Sequence, residues 1–196
     1  MMLAIKSKQA APSFTGNALW HGINELSVAD ATLKNWLLHS GSLTERLQTH
    51  CRDFSVCVLT QRQQLATAEE YQQLDVQLED QSQSNWQVRE VILHGDNQPW
   101  VFARSVIPQT LCEQDFAHLG NRPLGQLIFN DDRFKRMPFQ FICLQPEKTW
   151  LRANNLPDAQ HLWGRRSVFR YQHLSMMVAE VFLPQSPPYH ECIDEQ

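Results

Sequence analysis

Hydrophobic and polar residues alternate along six stretches of the chain, and between those stretches the period lengthens toward that of a helix. Phe54 to Thr60, Trp86 to Leu93, Trp100 to Pro108, Phe139 to Leu144, Ser167 to Tyr171 and Ser175 to Leu183 read as strands rich in β-branched and aromatic residues. Gly95-Asp96-Asn97-Gln98 supplies the residues that tolerate hairpin-turn dihedrals, so the second and third strands are expected to pair antiparallel. Helical spacing begins at Ser27, a predicted cap, and puts Leu33, Trp36 and Leu37 on one face before Gly41 stops the helix. Ser42-Leu43-Thr44-Glu45 is then a capping box that opens a second helix through Leu47, with a corner at His39-Ser40-Gly41. Thr110-Leu111-Cys112-Glu113 repeats the device in a helix closed by Gly120, and Pro123 opens a further turn through Leu127. The glutamine-rich run from Gln61 to Gln83 reads as a solvated excursion with a partial helix from Thr67 to Leu74.

These elements predict an α+β fold: a single domain with an about six-stranded antiparallel sheet and two helix-turn-helix excursions. Residues 1–26 read as an N-terminal arm anchored by Phe14, Leu19 and Trp20, residues 27–189 as the domain, and residues 190–196 as a polar tail. A length of 196 residues suits one well-cored domain, and 42% hydrophobic residues with six tryptophans suit a packed globule. Seventeen basic against 21 acidic residues give a net charge of −4 without a basic run, so no footprint for nucleic acid or an anionic membrane is expected. Five scattered cysteines without C-x-x-C spacing read as reduced thiols, with Cys57 and Cys143 packing as small hydrophobes. The start through Lys6 and Lys8 is too briefly apolar for a secretory signal, and no later stretch approaches a membrane span; a soluble, cytoplasmic protein is expected.

Several chemistries are excluded by spacing. The chain has no G-x-S-x-G elbow, phosphate-binding loop or dinucleotide fingerprint, and only seven glycines from which to build one. His190-Glu191-Cys192 lacks tetrahedral geometry and a fourth ligand, so no metal site is expected. More telling are two charges on otherwise apolar strand faces. Arg89 shares its face with Val91 and Leu93, and Glu180 shares its face with Met176, Val178 and Phe182. An unpaired ion in a core costs roughly several kcal/mol, so each requires a partner: the other, a different side chain, or a ligand. Either they form a structural salt bridge, or they serve a small anionic substrate that undergoes proton chemistry. Arg104 shares parity with Trp100, Phe102 and Val106 and reads as a second inward arginine suited to a dianion. Arg165 and Arg166 must point to opposite faces, so they read either as one inward and one solvated arginine or as a surface pair bridged to acidic residues.

Five motifs then fall in one order: Trp86-Gln87-Val88-Arg89-Glu90, Pro99-Trp100 through Arg104 to Pro108, Pro123-Leu124-Gly125, Trp163-Gly164-Arg165-Arg166-Ser167, and Glu180-Val181-Phe182-Leu183-Pro184. Together they resemble the chorismate lyase family of the ubiquinone pathway, from about Leu33 to Tyr189. The resemblance implies removal of pyruvate from chorismate to leave 4-hydroxybenzoate, by a cytoplasmic monomer with neither metal nor organic cofactor, and with retention of product. It also implies that the two helical excursions are flaps over a buried site. By motif, Arg89 corresponds to the family arginine that binds the ring carboxylate, Glu180 to the acid at the hydroxyl end, and the backbone at Leu43 and Leu124 to flap contacts. Leu43 stands where the best-known members of the family place a methionine. Arg89 and Arg104 are then expected to hold carboxylates and Glu180 to handle protons or contact the hydroxyl. The alternative from another class is a non-catalytic domain of the same fold that senses or binds aromatic acids, as in transcription regulators that carry a DNA-binding module ahead of it.

Overall fold

The computed structural model describes residues 14–15, 19–74, 86–114, 116, 122–129 and 131–190. Eight strands form its sheet: β1 (Phe14–Thr15), β2 (Phe54–Gln63), β3 (Trp86–Gly95), β4 (Gln98–Pro108), β5 (Lys135–Arg136), β6 (Gln140–Pro146), β7 (Leu162–Tyr171) and β8 (Leu174–Phe182). Their order is β1-β6-β7-β8-β4-β3-β2, with β5 also pairing β7, and every pairing is antiparallel. The fold is α+β, and each of the six alternating stretches is a strand. Asp96 and Asn97 both take positive φ, 48° and 65°, where the β3–β4 hairpin turns between the paired Gly95 and Gln98. Strands β1 and β5 escape sequence reading because two residues carry no period. Strand β7 begins at Leu162, ahead of the expected Ser167, because its first residues are buried on both faces and do not alternate.

Among the described residues six short α-helices cover the sheet: α1 (Ala31–Leu38), α2 (Leu43–Gln48), α3 (Ala68–Leu74), α4 (Gln109–Gln114), α5 (Leu124–Phe129) and α6 (Lys148–Ala153). Asp30, not Ser27, caps α1, its side chain accepting from Leu33 N at 2.8 Å. Ser42 caps α2 as expected, accepting from Glu45 N at 3.3 Å. Helix α4 starts one residue before Thr110, and Gly120 lies outside the described residues. Helix α6, with Trp150 and Leu151 buried, is too short to show a period in sequence.

One face of the sheet, the front, carries α1, α2, α4 and α5. Leu33, Trp36, Leu37 and Leu47 pack there with Val91, Leu93 and Phe182, while Leu111, Leu124 and Ile128 pack with Ile107, Phe169 and Met176. Burial of each such side chain contributes roughly 1.5–3 kcal/mol. The back face carries α6 over Ile92, Phe102 and Val181, and α3 over Val88, Val106 and Met177. Helix α3 is therefore no solvated excursion. Tyr71 and Leu74 are buried under it, and Thr67 and Glu70 form a reciprocal cap, with Glu70 N donating to Thr67 Oγ1 at 3.2 Å and Thr67 N donating to Glu70 Oε2 at 2.7 Å.

Candidate active site

The two front-face clusters leave a cavity between them. Its floor is the sheet, with Arg89 and Val91 from β3, Ala103 and Ser105 from β4, and Val178 and Glu180 from β8. The roof is made where the two helical excursions meet, with Leu43 and Thr44 from α2 and Leu124, Gly125 and Ile128 from α5. The cavity has a volume of about 50 Å³. Gly125 allows the two roof helices to approach, because a Cβ there would sit 3.2 Å from Thr44 Oγ1 and 3.7 Å from Ser42 Oγ. Leu43 and Leu124 are the first residues of their helices, so their N–H groups have no acceptor within the helix.

The structure brings Arg89, Glu180, Leu43 and Leu124 to this one cavity. Arg89 is 2% exposed; Nη1 donates to Gln61 Oε1 at 2.5 Å and Nη2 to the Arg122 carbonyl at 3.3 Å. Burial pulls its pKa below the ordinary guanidinium value. Glu180 is bridged by Arg165, which stands directly opposite it in the β7–β8 ladder, with Nε to Oε2 at 2.8 Å. The same guanidinium donates through Nη1 to the carbonyls of Trp36, Leu37 and His39 at 3.2, 3.3 and 2.7 Å, satisfying the end of α1. Arg165 thus ties the carboxylate in the floor to the helix that leads into the roof. His39 stays below the usual histidine range because of its burial, with the charges of Arg46, Arg165 and Arg136 adding to the effect.

Arg104 is not with them. The β3–β4 register sets Ser105 opposite Arg89 and Arg104 opposite Glu90, so Arg104 faces the back. There it donates through Nε to Glu70 Oε1 and through Nη1 to Glu90 Oε1, each at 2.8 Å. Both faces of the sheet are covered, so an apolar neighbourhood in sequence does not say which face a residue takes. Arg165 and Arg166 do point to opposite faces, but both are buried, at 2% and 4% exposure. Arg166 is held on the back by Gln140 and by Glu69 from α3, and stacks 4.3 Å from the Trp20 ring of the arm.

Sequence reasoning missed Arg136. It sits on β5 opposite Phe169, lines the cavity, and lies over the rings of Phe139 and Phe129 at 4.3 and 5.5 Å. Burial first, and then the charge of Arg165, lower its pKa, while Glu180 acts in the opposite direction. The only available signal was a basic residue next to an aromatic cluster. Among the described residues lining the cavity are three guanidiniums and one carboxylate, a formal balance of +2. No group of three or more His, Cys, Asp or Glu among the described residues is placed to hold a metal ion, and no helix among them is long and apolar enough to cross a membrane. His190 Nε2 contacts the Pro184 carbonyl at 2.8 Å, and Glu191 and Cys192 lie outside the described residues.

A family model described as chorismate lyase matches residues 14–192. The chain belongs to the chorismate lyase family. It is 60% identical over 176 residues to a probable chorismate pyruvate-lyase of Pseudoalteromonas atlantica, covering 90% of this chain and 92% of the relative. A probable chorismate pyruvate-lyase of Pseudomonas aeruginosa is 44% identical over 86% of this chain and 92% of its own length. One of Photobacterium profundum is 35% identical over 94% and 96%. Among solved structures, the effector domain of PhnF from Mycobacterium smegmatis aligns with a TM-score of 0.55 at 11% identity, over 74% of this chain and 90% of that one. The possible transcriptional regulator YydK from Bacillus subtilis aligns with a TM-score of 0.53 at 12% identity, over 76% and 64%. At such identities the likeness to the regulators is one of fold.

Proposed function

We propose that this cavity binds chorismate and releases pyruvate from it, leaving 4-hydroxybenzoate. By family the protein is a lyase acting on chorismate, and what supports the site assignment is the pairing of a buried arginine with a carboxylate held by Arg165 in one covered cavity. Arg89 presents a fork to the ring carboxylate through charge-assisted hydrogen bonds, the stronger kind. Glu180 binds the hydroxyl across the ring and stands where a proton leaves as the ring becomes aromatic. The first N–H groups of α2 and α5, at Leu43 and Leu124, add donors from the roof. Aromatisation drives the elimination, so the protein's contribution is to orient the substrate and to exclude water with Val91, Leu93 and Ile128.

In this reading the protein acts as a cytoplasmic monomer, needs neither metal nor organic cofactor, and supplies the aromatic precursor of ubiquinone. Because the roof must part before 4-hydroxybenzoate leaves, product is retained and its release limits turnover. The test is to incubate EDTA-treated protein with chorismate and quantify 4-hydroxybenzoate and pyruvate together. Equimolar formation above spontaneous decay is expected, and Arg89→Ala should lower both chorismate turnover and 4-hydroxybenzoate affinity by about tenfold or more. Normal turnover and product affinity in that variant would remove Arg89 from the site. Failure of the wild type to form either product, with tight 4-hydroxybenzoate binding retained, would turn the reading to an aromatic-acid-sensing domain.

A further inference from the structure

Arg136 presents a feature that the ring carboxylate and the hydroxyl do not use. Its Nη1 is buried and has no hydrogen-bond partner among the described residues, although burying a guanidinium N–H without an acceptor is unfavourable. The group is also held in place, with its Cζ over the rings of Phe139 and Phe129. An oriented, unsatisfied cation at a cavity wall is a site for an anion that the protein does not itself supply.

The sheet determines where that anion lies. Arg89 enters from β3 and Arg136 from β5, on either side of β4, β8 and β7. Four interstrand spacings separate the two backbones, roughly 19 Å along the sheet, and both side chains reach into one cavity. Arg136 stands at the end where Arg165 and Glu180 are paired, because its guanidinium and that of Arg165 lie over the same Phe139 ring, 4.3 and 4.7 Å from its centre. In chorismate the ring carboxylate lies across the ring from the hydroxyl, and the enolpyruvyl ether is on the carbon next to the one that bears the hydroxyl. A ring held by Arg89 at its carboxylate and by Glu180 at its hydroxyl therefore sends the enolpyruvyl carboxylate toward the Glu180 end of the cavity. The +2 balance of the lining charges matches the two carboxylates of this substrate.

We infer that Arg136 receives the enolpyruvyl carboxylate and is the residue by which the cavity distinguishes substrate from retained product; this rests on the chorismate reading above. In the reaction the ring carbon–oxygen bond to the enolpyruvyl group breaks and its electron pair leaves with the enol oxygen. The hydrogen on the hydroxyl-bearing ring carbon departs as a proton, and its bonding pair completes the aromatic ring. One proton is taken up at the enol methylene as enolpyruvate becomes pyruvate, so no oxidant or reductant is required. Arg136 holds the leaving carboxylate through this step and has no counterpart charge to bind in 4-hydroxybenzoate.

The inference separates Arg136 from Arg89 by experiment. Arg136→Met should lower kcat/KM for chorismate by about 10- to 100-fold, the loss expected for a charge-assisted hydrogen bond, and leave the Kd for 4-hydroxybenzoate within about threefold. Retained product binding also reports that the variant is folded. Arg136→Lys, which keeps the charge and loses the fork, should fall between Arg136→Met and wild type. A fall in product affinity as large as the fall in kcat/KM in both variants, or a kcat/KM within twofold of wild type in either, would overturn the assignment. Absence of chorismate turnover in the wild type would instead sink the functional reading on which it rests.

Discussion

At the scale of single residues the site depends on charges that are buried but not isolated. Arg165, 2% exposed, is tolerated because one edge of its guanidinium meets Glu180 and another meets three carbonyls at the end of α1. Removing one partner of such a pair leaves the other ion uncompensated, at a cost of about 3–5 kcal/mol. Arg165→Met should therefore lower the unfolding free energy by about that amount in urea denaturation. Arg152→Ala is the contrast, since Arg152 meets Asp158 only at 4.0 Å with both side chains largely exposed. That substitution should change stability by about 0.5 kcal/mol or less. Equal effects from the two substitutions would show that Arg165 is not the tie between floor and roof.

The elements that close the cavity are too short to stand alone. Helices α2 and α5 have six residues each, well below the length at which an isolated helix persists in water. They persist because Leu43, Leu47, Leu124 and Ile128 are buried against the sheet and against each other. Capping at Ser42 adds the local part, about 1 kcal/mol. Their mutual approach depends on Gly125, where a bulkier side chain would press on Thr44. Gly125→Val is expected to overpack that contact at a cost of about 1–3 kcal/mol, borne mostly by the closed roof. Stopped-flow tryptophan fluorescence should then show 4-hydroxybenzoate leaving faster, by about 5- to 150-fold. An unchanged off-rate would mean that product leaves by a route other than between these helices.

On the scale of the whole molecule the sheet separates the cavity proposed to hold the ligand, on the front, from an ion network on the back. There Glu70 of α3 pairs with Arg104 of β4, and Arg104 also reaches Glu90. Burial alone would raise the Glu70 pKa, but the Arg104 fork and the Thr67 amide more than offset it and hold the group below 4.5. A depressed carboxylate pKa contributes stability that is fully present above 4.5 and is lost as pH falls through the folded value. Glu70→Gln should lower stability at pH 7 by about 1–3 kcal/mol and flatten its fall below pH 4.5. Affinity for 4-hydroxybenzoate should be unchanged, because the network lies behind the sheet; a parallel loss of affinity would refute that separation. Local sequence by itself determined the six long strands, the Asp96-Asn97 turn, the Ser42 cap and the inward direction of Arg89 and Glu180, because alternation, turn dihedrals and capping act between near neighbours. Only the tertiary structure decided which face each charge takes and whom it meets. Parity says that two residues of one strand share a face, but strand order and the helices crossing each side choose the face that holds the cavity. With both faces covered, Arg104 went to the back, Arg165 and not Arg89 became the partner of Glu180, and Arg136, on a strand too short to have a period, came to the cavity wall.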